Sequence, residues 1–149
     1  MERPPKILIV EDDPLQTEFI VPELQNAFCG TEIKLLKTEH QFRVALEEIG
    51  KNPPDVAIID VMLRWTDPVP NQPPAPEDVR EGGHYQAGLR CAALLRRYET
   101  TRAIPVILYT VLEEADLLHD LRELNNVRLL TKESDIGPLI EMIGQVTQA

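Results

Sequence analysis

Short apolar, β-branched runs alternate with amphipathic stretches along the chain, and this alternation sets the expected architecture. The first run, Lys6-Ile7-Leu8-Ile9-Val10, is continuous, as in a strand buried on both faces of a parallel sheet. It ends at Glu11-Asp12-Asp13-Pro14, where Asp13 can cap a helix that begins with Pro14. Leu15, Phe19, Leu24 and Phe28 give that helix an apolar stripe, and Pro22 is expected to kink it or end it early. Ile33, Leu35 and Leu36 mark a second strand over 32–38. Phe42, Ala45, Leu46 and Ile49 follow at helical spacing, with Gly50 expected as the stop before Asn52-Pro53-Pro54. A third strand is predicted over 55–61 and a helix over 85–98, with Leu89, Ala92, Ala93 and Leu95 apolar. Residues 104–110 read as a fourth strand, with Pro105 at its start where a missing N–H is tolerated. Residues 112–124 read as a helix through Ala115, Leu117, Leu118, Leu121 and Leu124. A fifth strand over 127–131 and a last helix through Ile136, Leu139, Ile140, Ile143 and Val146 complete the series.

Five strands alternating with five helices predict an α/β fold, a parallel sheet with helices on both faces. Crossovers of one hand restrict the topology, and the ligand site of such a sheet lies outside the carboxyl ends of its strands. One segment breaks the rhythm. Residues 64–84 contain Pro68, Pro70, Pro73, Pro74 and Pro76 and run into Gly82-Gly83. The segment is too proline-rich for helix or strand and is expected to be a long loop between the third strand and the third helix.

The 149 residues predict one domain over 1–149 with the proline-rich insertion inside it. No apolar run approaches the roughly 18 residues of a membrane span. The polar start, Met-Glu-Arg-Pro-Pro-Lys, does not resemble a signal peptide, so a cytoplasmic location without membrane contact is expected. With 25 acidic against 15 basic residues the net charge is −10, which argues against direct nucleic-acid binding. Cys29 and Cys91 are widely spaced and read as reduced thiols. His40, His84 and His119 are scattered, and none is assigned a role.

The polar residues at the strand ends change the picture. Glu11, Asp12 and Asp13 follow the first strand, Asp60 the third, Thr110 the fourth and Lys132 the fifth. All these ends share one edge of a parallel sheet. Carboxylates gathered there repel and need a compensating cation. A hard divalent ion such as Mg2+ suits oxygen ligands. One carboxylate could then act as a nucleophile toward phosphorus, with Lys132 and the Thr110 hydroxyl neutralising charge on the phosphoryl oxygens.

These motifs resemble the receiver domains of two-component response regulators. The resemblance rests on Ile7-Leu8-Ile9-Val10-Glu11-Asp12-Asp13-Pro14, on Asp60 after Asp55-Val56-Ala57-Ile58-Ile59, on Thr110 after Pro105-Val106-Ile107-Leu108-Tyr109, and on Lys132 after Leu129-Leu130-Thr131. It implies the flavodoxin-like doubly wound sheet with strand order 2-1-3-4-5. It further implies that Asp60 accepts a phosphoryl group and that Glu11, Asp12, Asp60 and the carbonyl of Met62 hold Mg2+. Thr110 would be the switch hydroxyl and Lys132 the lysine that pairs with the phosphoryl group. The donor would be a histidine kinase or phosphotransfer protein, and the domain would catalyse its own phosphoryl transfer and dephosphorylation. The expected mode is that of a stand-alone receiver signalling to a separate effector protein.

Departures from the family pattern leave a second reading open. Leu129 stands where an aromatic residue is usual, Glu133 where proline follows the lysine, Val111 where a small residue follows the switch hydroxyl, and Arg64 where proline is common. A branched Val111 could narrow access to the phosphoryl group. Arg64 and Trp65 are close enough in sequence to influence the site. The alternative is a protein-interaction module that acts without phosphorylation, with the Trp65 loop as a docking element. A phosphatase of the haloacid-dehalogenase type needs two aspartates two apart followed by Gly-Thr, which Glu11-Asp12-Asp13-Pro14 does not provide.

Overall fold

A computed structural model of the chain describes residues 3–117 and 121–147. Five strands, β1 (Lys6–Val10), β2 (Glu32–Leu36), β3 (Val56–Ile59), β4 (Val106–Thr110) and β5 (Val127–Thr131), form one parallel sheet in the order β2-β1-β3-β4-β5. This is the expected doubly wound, flavodoxin-like architecture. Side chains of β1 alternate between its faces: Leu8 and Val10 enter one apolar cluster, Ile7 and Ile9 the other. Both faces are therefore covered, which is why the central strands are continuously apolar.

The described residues hold five α-helices: α1 (Pro14–Ala27), α2 (Glu39–Lys51), α3 (Glu77–Gly82), α4 (Ala87–Arg97) and α5 (Gly137–Thr147). Asp13 caps α1 as expected, its carboxylate accepting the Leu15 N–H at 3.0 Å. The apolar face of α1 differs from the expected stripe. Thr17, Ile20 and Leu24 are buried, whereas Leu15 is 73% and Phe19 42% exposed. Leu15 and Leu24 lie nine positions apart, about two and a half turns at 3.6 residues each, so they point to opposite sides. Pro22 does not end the helix, because it sits on the exposed side, where water can reach the carbonyl it leaves unserved. Gly50 does not end α2 either, and the helix continues to Lys51. Gly50 instead makes room for a neighbour, since a Cβ there would meet Thr100 Oγ1 at 2.7 Å.

Two larger corrections flank the site. The proline-rich insertion is not all loop, because α3 forms directly after its last proline, Pro76, with Glu77 and Asp78 in its first turn. Acidic residues there complement the free N–H groups of a helix start. The expected helix over 112–124 is replaced by two 3-10 turns, Glu114–Asp116 and Leu121–Glu123. Glu113 and Asp116 cap the first turn on each other's backbone, which closes a tight turn. Leu118 and His119 lie outside the described residues. The helix expected over 85–98 begins as a 3-10 turn, His84–Gln86, before α4.

Candidate functional site

Strand register builds the site. Val10 pairs with Ile59, so Glu11 and Asp60 both emerge one residue beyond the paired ends of adjacent strands. The Asp60 N–H donates to the Val10 carbonyl at 3.0 Å, and the Glu11 N–H to the Leu36 carbonyl at 3.0 Å, continuing the ladder to the acids themselves. On the other side Thr110 pairs with Thr131, and the Lys132 N–H donates to the Thr110 carbonyl at 2.8 Å. Backbone pairing thus fixes all four strand ends at one edge.

The Lys132 ammonium lies between two carboxylates, 2.5 Å from Glu11 Oε1 and 2.9 Å from Asp60 Oδ2. All three side chains are at least nine-tenths buried. Burial, then the charge of Asp60, pushes the Glu11 carboxyl up to about 7 against the pull of Lys132. Burial lowers the Lys132 ammonium, but the charges of Asp60 and Glu11 outweigh it and leave the group above the ordinary lysine value. Two carboxylates thus share one ammonium. Asp60 Oδ1 accepts the Met62 N–H at 3.2 Å, which orients the carboxylate. Glu11 Oε2 accepts the Asp13 N–H at 3.3 Å.

A cavity of about 620 Å³ opens over these groups, lined among others by Glu11, Asp12, Asp60, Met62, Arg64 and Lys132. Five of the predicted residues, Glu11, Asp12, Asp60, Met62 and Lys132, thus share one cavity. Thr110 is fully buried beneath the edge, and its hydroxyl accepts the Leu112 N–H at 3.3 Å rather than lining the cavity. Val111 does line it and is 60% exposed. The donor set, the carboxylates of Glu11, Asp12 and Asp60 in one cavity with Met62, is of the oxygen-donor type that suits a hard divalent cation such as Mg2+. Among the described residues the acids are not drawn into a tight three-ligand cluster. Glu11 is held by Lys132, and Asp12 Oδ2 accepts the Arg64 N–H at 3.0 Å.

The insertion supplies the far wall of the cavity through Arg64, Trp65, Val79 and His84. His84, given no role from sequence, is part of that wall. Its carbonyl accepts the Leu63 N–H at 3.0 Å. Gly88 was also missed. A Cβ there would stand 2.3 Å from the Asp60 carbonyl oxygen, and the Gly88 N–H donates to the Val61 carbonyl at 2.9 Å. Its signal was a glycine inside a predicted helix, where glycine costs about 1 kcal/mol relative to alanine and so marks a packing need.

No protein-family profile matches the sequence, and no curated protein matches it. Solved structures do. The receiver domain of the Francisella response regulator 1452 aligns over 97% of both chains at 22% identity, with a TM-score of 0.67. The signal receiver domain of a DNA-binding response regulator from Colwellia psychrerythraea 34H covers 97% of this chain and 98% of its own at 21% identity, TM-score 0.71. The Mn(2+)-bound form of response regulator Rcp1 aligns over 96% of this chain and 91% of its own, at 20% identity and a TM-score of 0.65. Across nearly its whole length, the chain has the fold of these receiver domains.

Proposed function

We propose that the chain is a phospho-receiver in two-component signalling, with Asp60 as the acceptor. The observation that carries this reading is the buried Lys132 ammonium bonded to both Glu11 and Asp60 at the carboxyl edge of the sheet. A carboxylate oxygen of Asp60 attacks phosphorus in line, the P–N bond to a donor phosphohistidine breaks, and the departing imidazole takes up a proton. Lys132, already beside Asp60 Oδ2, then faces the new phosphoryl oxygens. The Thr110 hydroxyl accepts the Leu112 N–H and keeps its own O–H to donate, which suits it to the part of a switch that turns toward the phosphoryl group. Dephosphorylation is attack of water on the same phosphorus. A divalent ion held by Glu11, Asp12, Asp60 and the Met62 carbonyl would supply the remaining charge neutralisation. The donor is a histidine kinase or phosphotransfer protein, the output is binding to a separate effector protein, and the setting is the cytoplasm.

A second reading, a phosphorylation-independent interaction module, is favoured by the two 3-10 turns at 114–116 and 121–123, where a helix was expected. Intact mass after incubation with Mg2+ and acetyl phosphate separates the two. The receiver reading predicts a gain of one phosphoryl group, absent in Asp60→Asn. No gain from either acetyl phosphate or a phosphohistidine protein selects the interaction module.

A further inference from the structure

Position 64 carries an N–H aimed at the acids. The Arg64 N–H donates to Asp12 Oδ2 at 3.0 Å, and Asp12 lines the cavity. The chain just after it is held from the other side. The Arg64 carbonyl accepts the Glu39 N–H at 3.0 Å and the Trp65 carbonyl accepts the His40 N–H at 2.9 Å, so the first turn of α2 grips both peptides. The Trp65 ring fixes the grip. Its indole N–H donates to the Pro73 carbonyl at 2.8 Å, its face lies 5.8 Å from the Arg43 guanidinium, and His40 meets it edge-on at 5.1 Å. The Arg64 side chain itself is 59% exposed, and its Nε is only within 3.9 Å of Asp12. The main chain, not the guanidinium, makes the close contact.

We infer that Trp65 and the Arg64 peptide are positioning elements of the acidic site, holding Asp12 in the orientation in which it ligates a divalent cation. The proline-rich insertion is then part of the site's construction. This rests on the reading of Asp12 as a metal ligand. Hydrogen-bond partners of ligating carboxylates typically matter about 10–100-fold in metal affinity.

The test is calorimetric Mg2+ titration of the full chain and its variants, with thermal melts to confirm folding. Arg64→Pro deletes the N–H and should weaken Mg2+ binding about tenfold. Arg64→Ala deletes the guanidinium, keeps the N–H and should retain the affinity. Trp65→Ala, which loosens the grip without touching the acids, should weaken binding, and Trp65→Phe should restore most of it. Arg64→Pro and Trp65→Ala both folding and binding Mg2+ as the wild type does would overturn the inference. So would equal losses in Arg64→Ala and Arg64→Pro. Phosphoryl uptake on Asp60 with Mg2+ affinity indifferent to position 64 defeats this inference alone. A wild type that binds no Mg2+ and gains no phosphoryl group defeats the receiver reading and this inference with it.

Discussion

Residues 61–88 and the stretch that begins at Val111 flank the same acidic cavity but are built by different means. On the β3 side, Glu39, fully buried at the start of α2, accepts from Arg90 of α4 at 2.6 and 2.9 Å and from Arg43 at 3.0 Å. Arg43 reaches on to Asp78 of α3 at 2.8 Å. α2, α4 and the α3 helix of the insertion are thus tied through the Glu39 and Asp78 carboxylates. On the β4 side, Val111 is exposed, and the described residues beyond it hold two 3-10 turns, with Leu117, Leu121 and Leu124 only partly buried against the core. A wall held by buried, directional bonds resists displacement, whereas one with few buried contacts opens at low free-energy cost. The contrast assigns the two walls different work. On the proposed receiver reading, the β3 wall would hold the acidic residues in place, and the β4 wall, with Thr110 beneath it, would be the part that responds to charge on Asp60.

The largest effect should come from removing the carboxylate that ties the firm wall. Glu39→Ala leaves the Arg90 guanidinium, 12% exposed, without its carboxylate and Arg43 with Asp78 alone, and should cost about 3–5 kcal/mol in denaturant unfolding. A loss no larger than that of a surface ion pair would erase the distinction between the walls. Next, Gly88→Ala forces a methyl group against the Asp60 backbone and should cost about 1–3 kcal/mol while slowing phosphoryl uptake. Unchanged uptake would show that the approach of α4 does not position Asp60.

A smaller effect distinguishes the rim of the firm wall from its centre. The Asp78 carboxyl is held below the usual range, chiefly by the hydrogen bond from Arg43. A depressed folded value means that its stabilisation is complete above the unfolded value of about 3.9 and fades as pH falls through the folded one. The side chain is 55% exposed, so Asp78→Asn should remove less than about 1 kcal/mol and flatten the acid limb of the stability profile. The smallest stability change is expected on the loose wall. Val111→Ala should stay within about 0.5 kcal/mol. If the branched side chain restricts access to Asp60, the same change should speed both phosphoryl uptake and loss. A large destabilisation there would show that the second wall is as firmly built as the first.

The legibility of these regions in the sequence follows the same division. Continuous apolar strands and the acids after them were readable because burial on two faces and strand-end placement are local patterns. Asp60, Glu11 and Lys132 were placed together by sheet topology alone. The insertion was misread because its order comes from distant partners. Trp65 needs Pro73, His40 and Arg43, and α3 needs Arg43 on α2, none of which a local pattern reveals. The stretch 112–124 was misread in the opposite direction. Its leucines have helical spacing, but Glu113 and Asp116 close a short turn that competes with the helix. Tyr109 shows a related limit. Its ring lies 6.0 Å from the Lys132 ammonium, so an aromatic neighbour of the lysine stands on β4 while β5 carries Leu129.

The central claim, that Asp60 is the acceptor within this acid and lysine cluster, is tested most directly by chemical trapping. Borohydride reduces an acyl phosphate to the alcohol, so a phosphorylated aspartate becomes homoserine, which peptide mass mapping locates. After incubation with Mg2+ and a phosphodonor, the account predicts homoserine at position 60 and at no other carboxylate. Homoserine at Asp12 or Asp13, or a phosphoryl group that borohydride does not convert, would contradict it.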